Sequence, residues 1–225
     1  MLCARSSKLE ILDNPESSGD DVRLSLDFMV FVNRRFGGSN VILDYFKKKT
    51  TSHEFTVLDL GCGSGDIPFA IVNWAKQAGK RAHVTAIDLN THCLDYAHAH
   101  FASPDISFIK ASAFDLEKLG SFDYIVSSMF FHHLSDEAII DLFQRIARQS
   151  RKGFVINDLY RCCRNYWGAM LLALPTFKKI LINDAPLSVL RAFQENDFLK
   201  YRQQSGVPFQ IERKTPFRLV ASYHV

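Results

Sequence analysis

The stretch Val57-Leu-Asp-Leu-Gly-Cys-Gly-Ser-Gly-Asp66 decides the fold of this 225-residue chain. A short apolar run ends at three alternating glycines, Gly61, Gly63 and Gly65, and helical periodicity follows directly. Glycine lets the backbone adopt positive φ angles and approach a ligand closely, and the helix N-terminus beyond it offers unpaired N–H groups. The stretch therefore predicts a strand–turn–helix unit with a ligand at the turn.

The residues around these glycines narrow the class of ligand. A dinucleotide-binding GxGxxG turn needs glycine at position 66, where Asp66 stands, and no Lys-Ser/Thr pair follows as in a phosphate-binding loop. Asp59, at the end of the strand, would repel a pyrophosphate and attract an ammonium or sulfonium group. A cationic cofactor is favoured, and a tight turn without a ligand is the alternative.

The rest of the chain alternates between strand-length and helix-length segments, which predicts right-handed βαβ crossovers and a mostly parallel α/β sheet. The last two strands are joined only by Thr215-Pro216, so they must be antiparallel neighbours. The predicted strands are 55–60, 83–88, 106–111, 122–128, 153–158, 209–214 and 217–223.

Helical segments precede this core in the sequence and also follow its fifth strand. The N-terminal part predicts helices over about 21–36 and 39–48, separated by Gly37-Gly38. A helix over 162–181 with a kink at Pro175 and another over 187–204 follow the fifth strand. We therefore predict one domain with four parts, which are an N-terminal helical cap (1–50), a cofactor-binding core (55–160), a helical substrate cap (160–204) and a terminal hairpin (205–225).

Asp88 ends the second predicted strand, in the sequence Ala-Ile-Asp-Leu-Asn. Ligands of open α/β sheets bind beyond the carboxyl ends of the strands, and a carboxylate there can accept both hydroxyls of a ribose. Helix capping is the alternative role for Asp88. Its position one βα unit after the glycine turn favours the ribose.

Three motifs resemble those of the class I S-adenosylmethionine-dependent methyltransferases. VLDLGCGSG resembles their first motif, AIDLN their ribose-binding position, and FDYIVSSMFFHHL, at 122–134, the fourth-strand motif of their small-molecule members. The chain is most similar to the ubiquinone- and menaquinone-biosynthesis type, well over 55–160 and in outline over 205–225. The resemblance implies a Rossmann-like seven-stranded sheet with a C-terminal antiparallel hairpin, and S-adenosylmethionine as the cofactor.

The resemblance also implies roles for single residues. Asp59 and the three glycines would hold the methionine portion, Asp88 the ribose and Leu89 the adenine face, and Ser127 would line the methionine end. Ser112-Ala113 departs from the usual Asp-Ala, so the adenine amino group would meet an uncharged hydroxyl or the Ala113 backbone. The predicted cofactor site comprises Asp59, Gly61, Cys62, Gly63, Gly65, Asp88, Leu89, Ser112, Ala113 and Ser127.

His132 and His133 follow the fourth strand, close to the expected position of the transferred methyl group. With an unperturbed pKa of about 6.5, either could act as the base for a hydroxyl acceptor. Orienting the loop or capping the helix after Ser135 is the alternative. Asn33, Arg34 and Arg35 form either a mobile lid over the cofactor or ordinary surface.

The chain contains 19 phenylalanines, which favours an aromatic-lined pocket, although aromatic residues at helical spacing more often belong to a core. The NRRFGG and NDLYR segments are also similar to methyltransferases found beside bacterial phenolic-lipid synthases. We therefore expect a hydrophobic phenol, quinol or polyketide-like acceptor. Candidate wall residues are Phe28, Met29, Phe31, Phe130, Phe131, Tyr160, Tyr166, Trp167 and Met170.

Composition narrows the remaining function classes. A net charge of +3, and Ser-Ser-Met-Phe in place of an NPPY-type tetrapeptide, oppose a nucleic-acid substrate. The five cysteines show no metal-ligand spacing, so no metal site is predicted. The sequence shows neither a membrane span nor a secretory signal, which predicts a cytoplasmic protein. The sequence does not indicate the oligomeric state. An NAD-dependent oxidoreductase and a non-catalytic relative are the rival functions.

Overall fold

The computed structural model describes residues 4–14 and 17–225 of the chain. Two short parts of the predicted N-terminal cap lie outside the described residues, namely 1–3, which include Cys3, and 15–16. A seven-stranded sheet in the order β3-β2-β1-β4-β5-β7-β6 forms the centre. Its strands are β1 (Glu54–Leu60), β2 (Arg81–Asp88), β3 (Ile106–Lys110), β4 (Phe122–Ser128), β5 (Ser150–Leu159), β6 (Gln210–Lys214) and β7 (Arg218–His224).

The first five strands are parallel, and β7 pairs antiparallel with both β5 and β6. The two central strands of the parallel part, β1 and β4, are buried almost along their whole length. Such continuous burial is what a sheet covered on both faces requires. The predicted fold class, a mostly parallel seven-stranded sheet with a C-terminal antiparallel hairpin, is confirmed.

Eight helices of the described chain cover the sheet and its carboxyl edge. They are α1 (Gly19–Arg35), α2 (Gly38–Lys49), α3 (Asp66–Gln77), α4 (Thr91–Phe101), α5 (Asp136–Gln149), α6 (Cys163–Ala173), α7 (Lys179–Arg191) and α8 (Glu195–Ser205). Helices α2 and α3 pack on one face of the sheet and α5 and α8 on the other, which gives two separate hydrophobic clusters. No helix in the described ranges is long and apolar enough to cross a bilayer.

Helix α5 shows how sequence sets one of these faces. The Ser135 side chain caps the helix by accepting a hydrogen bond from the Ala138 N–H. Ile139, Leu142 and Phe143 then recur at helical spacing and are completely buried against the sheet. Capping and periodicity agree here, so the sequence predicts this helix closely.

The predicted boundaries after β5 are wrong. Instead of a kinked helix over 162–181, α6 ends at Ala173, and a short 3-10 turn containing Pro175 leads into the separate helix α7. Phe177, with φ 52°, adopts the left-handed conformation and reverses the chain. The second predicted helix, over 187–204, is divided between the end of α7 and α8. Pro186 lies inside α7, so only one of the two prolines breaks a helix.

Candidate active site

The glycine turn between β1 and α3 brings the backbone to the carboxyl edge of the sheet. Gly61, Gly63 and Gly65 all have positive φ angles, of 67°, 50° and 80°. The turn is fixed to β2 by a hydrogen bond of 2.9 Å from the Cys62 N–H to the Ile87 carbonyl. At Gly61 a Cβ atom would lie 2.6 Å from the Phe130 ring, so space as well as conformation demands glycine there.

A Gly61→Ala substitution is therefore expected to destabilise the fold by about 1–3 kcal/mol and to weaken cofactor binding. Gly79→Ala is the matched control, because Gly79 has the same φ, 66°, but nothing lies within 4 Å of its added Cβ. Thermal unfolding of both variants separates the backbone strain that they share from the clash with Phe130. Equal stability losses in the two variants would contradict a close approach at Gly61.

A cavity at this turn, here called the turn cavity, contains most of the predicted cofactor site. Eight of the ten predicted residues line it, namely Asp59, Gly61, Cys62, Gly63, Asp88, Leu89, Ser112 and Ala113. Gly65 is not in the lining, because the missing side chain faces Ala97 and Phe108 of the neighbouring elements. Ser127 is also outside it, since its Oγ donates to the Leu60 carbonyl at 2.8 Å. The next residue, Ser128, lines the cavity instead.

Two hydrogen bonds fix the Asp88 carboxylate at the end of β2. It accepts from the Gly63 N–H at 3.0 Å and from the Asn90 N–H at 2.9 Å. The neighbouring Leu89 is 64% exposed, so it offers an apolar surface at the cavity. Ser112 accepts from the Phe114 N–H at 3.1 Å, and this capping bond leaves the hydroxyl one further lone pair and its proton for the adenine.

Three carboxyl groups give the turn cavity its electrostatic character. Burial raises the pKa of Asp59 well above its ordinary value, and the charges of Asp66 and Asp88 raise it further. Burial also raises the pKa of Asp66 and of Asp88. Asp59 is 1% exposed, and its Oδ2 has no hydrogen-bond partner. A positively charged ligand would relieve this repulsion and a pyrophosphate would increase it.

Asn33 holds one of these acids in place. Its Nδ2 donates to Asp66 at 3.1 Å, while the Ser64 Oγ donates to the same carboxylate at 2.7 Å. Asn33 is 4% exposed, whereas Arg34 and Arg35 are exposed on α1. The surface alternative is therefore wrong for Asn33, and the lid stays a prediction.

A second cavity, here called the apolar cavity, adjoins the first. Its walls come chiefly from α1, α6 and α7, from the residues that follow β4 and from the turn between β6 and β7, and they are mostly apolar. The two cavities share Leu12, Met29, Asn33, Met129 and His133. Among the nine predicted wall residues, Phe28 and Met29 line the apolar cavity and Phe130 lines the turn cavity. The other six lie outside both linings, namely Phe31, Phe131, Tyr160, Tyr166, Trp167 and Met170.

The two predicted histidines lie where the cavities meet. His132 is 2% exposed and lines the apolar cavity, and its Nδ1 lies 2.8 Å from Asp158 Oδ1. His133 lines both cavities, and its Nδ1 lies 2.6 Å from Asp13 Oδ1. The two rings are adjacent, with centroids 4.2 Å apart.

The hydrogen bond to Asp158 fixes which nitrogen of His132 is free. Burial opposes ionisation of Asp158, but the His132 side chain and the backbone N–H groups of His132 and Leu159 together lower the pKa of the carboxyl group. An ionised carboxylate can only accept, so Nδ1 carries the proton and Nε2 keeps its lone pair in the neutral ring. His132 is therefore oriented as a proton acceptor.

Residues 57–153 match the family model described as a methyltransferase domain. Residues 57–153 therefore form a methyltransferase domain. This agrees with the strand order, the glycine turn and the acidic cavity beside it. No curated protein sequence matches the chain.

Solved structures share the fold of this methyltransferase domain at low sequence identity. Human N-acetylserotonin methyltransferase, in complex with S-adenosylmethionine, is 16% identical with a TM-score of 0.65, over 92% of this chain and 56% of that one. A TehB-like methyltransferase from Corynebacterium glutamicum is 16% identical with a TM-score of 0.60, over 92% and 99%. Magnesium protoporphyrin IX methyltransferase from Synechocystis, with bound S-adenosylhomocysteine, is 16% identical with a TM-score of 0.56, over 96% and 88%. The chain thus spans about half of the human enzyme.

The apolar cavity and its surroundings also contain polar residues that the sequence did not indicate. Glu10 is 5% exposed and lines the apolar cavity, with Oε1 3.7 Å from His132 Nε2. Ser188 Oγ donates to Glu10 at 2.9 Å, and burial raises the pKa of Glu10 to about 7. Asp13 pairs with His133 and Arg191, and these partners lower its pKa although burial opposes them.

Glu10, His132 and His133 also form a group that could hold a metal ion, with one ligand atom of each within 4.8 Å of the others. Cysteine spacing, from which no metal site was predicted, carries no information about this group. Glu10 is more than a hundred residues away from the two adjacent histidines, so no local spacing could have revealed the group.

Proposed function

We propose that this methyltransferase domain methylates a hydroxyl group of a small hydrophobic acceptor, such as a phenol or quinol, bound in the apolar cavity. S-adenosylmethionine supplies the methyl group. The observation that carries the proposal is the meeting of an acidic cavity and an apolar cavity at His133, beside the oriented base His132. Holding a cofactor and an acceptor at such a junction is the orientation that methyl transfer requires.

The acidic turn cavity fits a sulfonium and amino-acid cation. We assign Asp59 and the glycine turn to the methionine portion, because the Asp59 Oδ2 atom lacks a partner in a buried position. Asp88 is assigned to the ribose, Leu89 to the adenine face, and Ser112 with Ala113 to the adenine edge. Gly65 and Ser127 would act through the packing of the turn and not through contact with the cofactor.

The histidine pair provides the proton acceptor. The distance of 3.7 Å between His132 Nε2 and Glu10 Oε1 is too long for a hydrogen bond. A single hydroxyl oxygen can nevertheless lie within hydrogen-bond distance of both atoms. As the hydroxyl oxygen is methylated, its proton passes to Nε2 of His132, and Asp158 stabilises the resulting imidazolium. His133, held by Asp13, borders the cofactor side of the same site.

Several features support a small-molecule acceptor and a cytoplasmic location. The helical caps 1–50 and 160–204 contribute most of the walls around the apolar cavity, which suits a small organic molecule better than a nucleic acid. The four described cysteines are free, in keeping with a reducing compartment.

The test of this function is a methyl-transfer assay with labelled S-adenosylmethionine and a panel of phenols and quinols. We expect label in a phenolic ether and stoichiometric release of S-adenosylhomocysteine. Cofactor binding without transfer to any member of a broad panel would favour a non-catalytic relative. Binding of NAD in place of S-adenosylmethionine would favour the oxidoreductase.

Cofactor binding is expected to tighten as the pH rises from 5 to 8. The raised pKa values of Asp59, Asp66 and Asp88 mean that these groups retain protons more readily in the free protein than ordinary carboxyl groups do. A cationic ligand favours their ionised forms, so binding should release protons. Calorimetry in two buffers of different ionisation enthalpy measures that release. Proton uptake, or an affinity that falls with pH, would contradict the acidic cavity as the cation site.

A further inference from the structure

Arg218, the first residue of β7, is a buried charge at the apolar cavity. It is 1% exposed and belongs to the cavity lining. Its guanidinium donates to the sulfur of Met129, which is a weak acceptor. Within the ranges that the structure describes, no carboxylate oxygen lies within 4 Å of this guanidinium, so its charge has no direct counterion.

The other buried arginines of the described chain are paired differently. Arg161 lies 3.1 Å from a carboxylate oxygen of Asp197, and Arg191 forms an ion pair with Asp13. The charges of Asp158 and Asp66 act on Arg218 and raise its pKa, but neither carboxylate contacts the guanidinium. The pattern of pairing thus sets Arg218 apart from buried arginines that serve the fold.

An unpaired buried guanidinium is unfavourable for the folded state. Burial lowers the pKa of Arg218 to about 10, which still leaves the group charged at neutral pH. Removing such a charge from water without a partner destabilises the folded state strongly. At the cavity wall, the N–H groups of this guanidinium are available to bind an anion that enters the cavity.

We propose that Arg218 binds a carboxylate of the acceptor, so that the acceptor is a hydrophobic carboxylic acid that also carries the hydroxyl group to be methylated. This inference rests on the proposed function. One guanidinium among apolar walls matches a monoanion, because the negative charges of Asp158 and Asp66 nearby disfavour a phosphate dianion. Arg218 and His132 line the same cavity, so the acid is held at one part of the wall and the hydroxyl group at another.

The test compares para-hydroxyphenylpropionate with its amide, two probes of the same shape that differ in charge. Calorimetry is done with S-adenosylhomocysteine present, so that binding is measured without turnover. We expect the acid to bind the natural protein roughly 10- to 100-fold more tightly than the amide. Arg218→Met should abolish this preference and Arg218→Lys should retain part of it, with S-adenosylhomocysteine affinity unchanged in both.

Equal affinities of the two probes for the natural protein would overturn the carboxylate site, and so would failure of both to bind while S-adenosylhomocysteine binds normally. In these cases the methyltransferase function itself would stand. A protein that binds neither S-adenosylmethionine nor S-adenosylhomocysteine would overturn the proposed function, and the Arg218 proposal with it. Should Arg218→Met fail to fold, the proposal is still tested by the affinities of the acid and the amide for the natural protein and for Arg218→Lys.

Discussion

Replacing His132 with asparagine is expected to lower kcat by roughly 10²- to 10⁴-fold, the range of a lost general base. The asparagine Nδ2 takes the position of Nδ1 and can still donate to Asp158, so the buried carboxylate keeps a partner and the fold is preserved. The side chain no longer has a basic nitrogen to take the proton of the acceptor. Steady-state kinetics with the best acceptor from the panel, together with thermal unfolding, measures both effects.

His83→Gln is the control, because His83 bonds to Glu54 through Nε2, which the glutamine amide replaces, in an exposed histidine–carboxylate pair at the opposite edge of the sheet. Activity in this variant should stay at the natural level. Unchanged kcat in the His132 variant would contradict the base. Loss of activity of the natural protein on chelation, with recovery on adding zinc, would instead show that Glu10, His132 and His133 act through a metal ion.

Asp88→Ala is expected to weaken S-adenosylmethionine binding by roughly 10- to 100-fold. A carboxylate that accepts hydrogen bonds from a ligand contributes on the order of 1.5–3 kcal/mol. The substitution also removes the bond from the Gly63 N–H that ties the glycine turn to β2. Equilibrium calorimetry gives the affinity, and the ligand-induced shift in unfolding temperature gives an independent estimate.

Asp88→Asn separates the contribution of the carboxylate charge from that of the hydrogen bond to the glycine turn. Its amide oxygen can still accept from the Gly63 N–H, so the turn should persist while the charge is lost, and affinity should fall less than in Asp88→Ala. Asp95→Ala, on the exposed face of α4, is the surface control. Equal affinities of Asp88→Ala and the natural protein for the cofactor would contradict the ribose assignment.

The turn cavity, which is the proposed cofactor half of the candidate site, could be predicted because its signals are local. Gly61, Asp59 and Asp88 stand within one βαβ unit, and the parallel pairing of β1 and β2 brings the ends of these strands together. Residue type and short spacing are therefore enough to predict that these residues lie close together. The hairpin β6–β7 was predictable for the same reason, since a link as short as residues 215–217 leaves one arrangement.

The acceptor half could not be predicted, since it is assembled from distant parts of the chain. Glu10 and Asp13 precede α1, yet they contact histidines about 120 residues further along. Asp158 reaches His132 because β4 and β5 are neighbours in the sheet, which the sequence predicts only in general terms. The helical boundaries failed for a related reason. Pro175 and Pro186 have the same intrinsic tendency, and tertiary packing decides which of them ends a helix.

Calorimetric titration of the purified protein with S-adenosylmethionine and, separately, with NAD is the most direct measurement. The acidic turn cavity leads us to expect saturable, one-to-one binding of the sulfonium compound and no detectable uptake of the dinucleotide. Binding of NAD, with no measurable affinity for S-adenosylmethionine, would contradict the assignment of Asp59, Asp66 and Asp88 to a cationic cofactor.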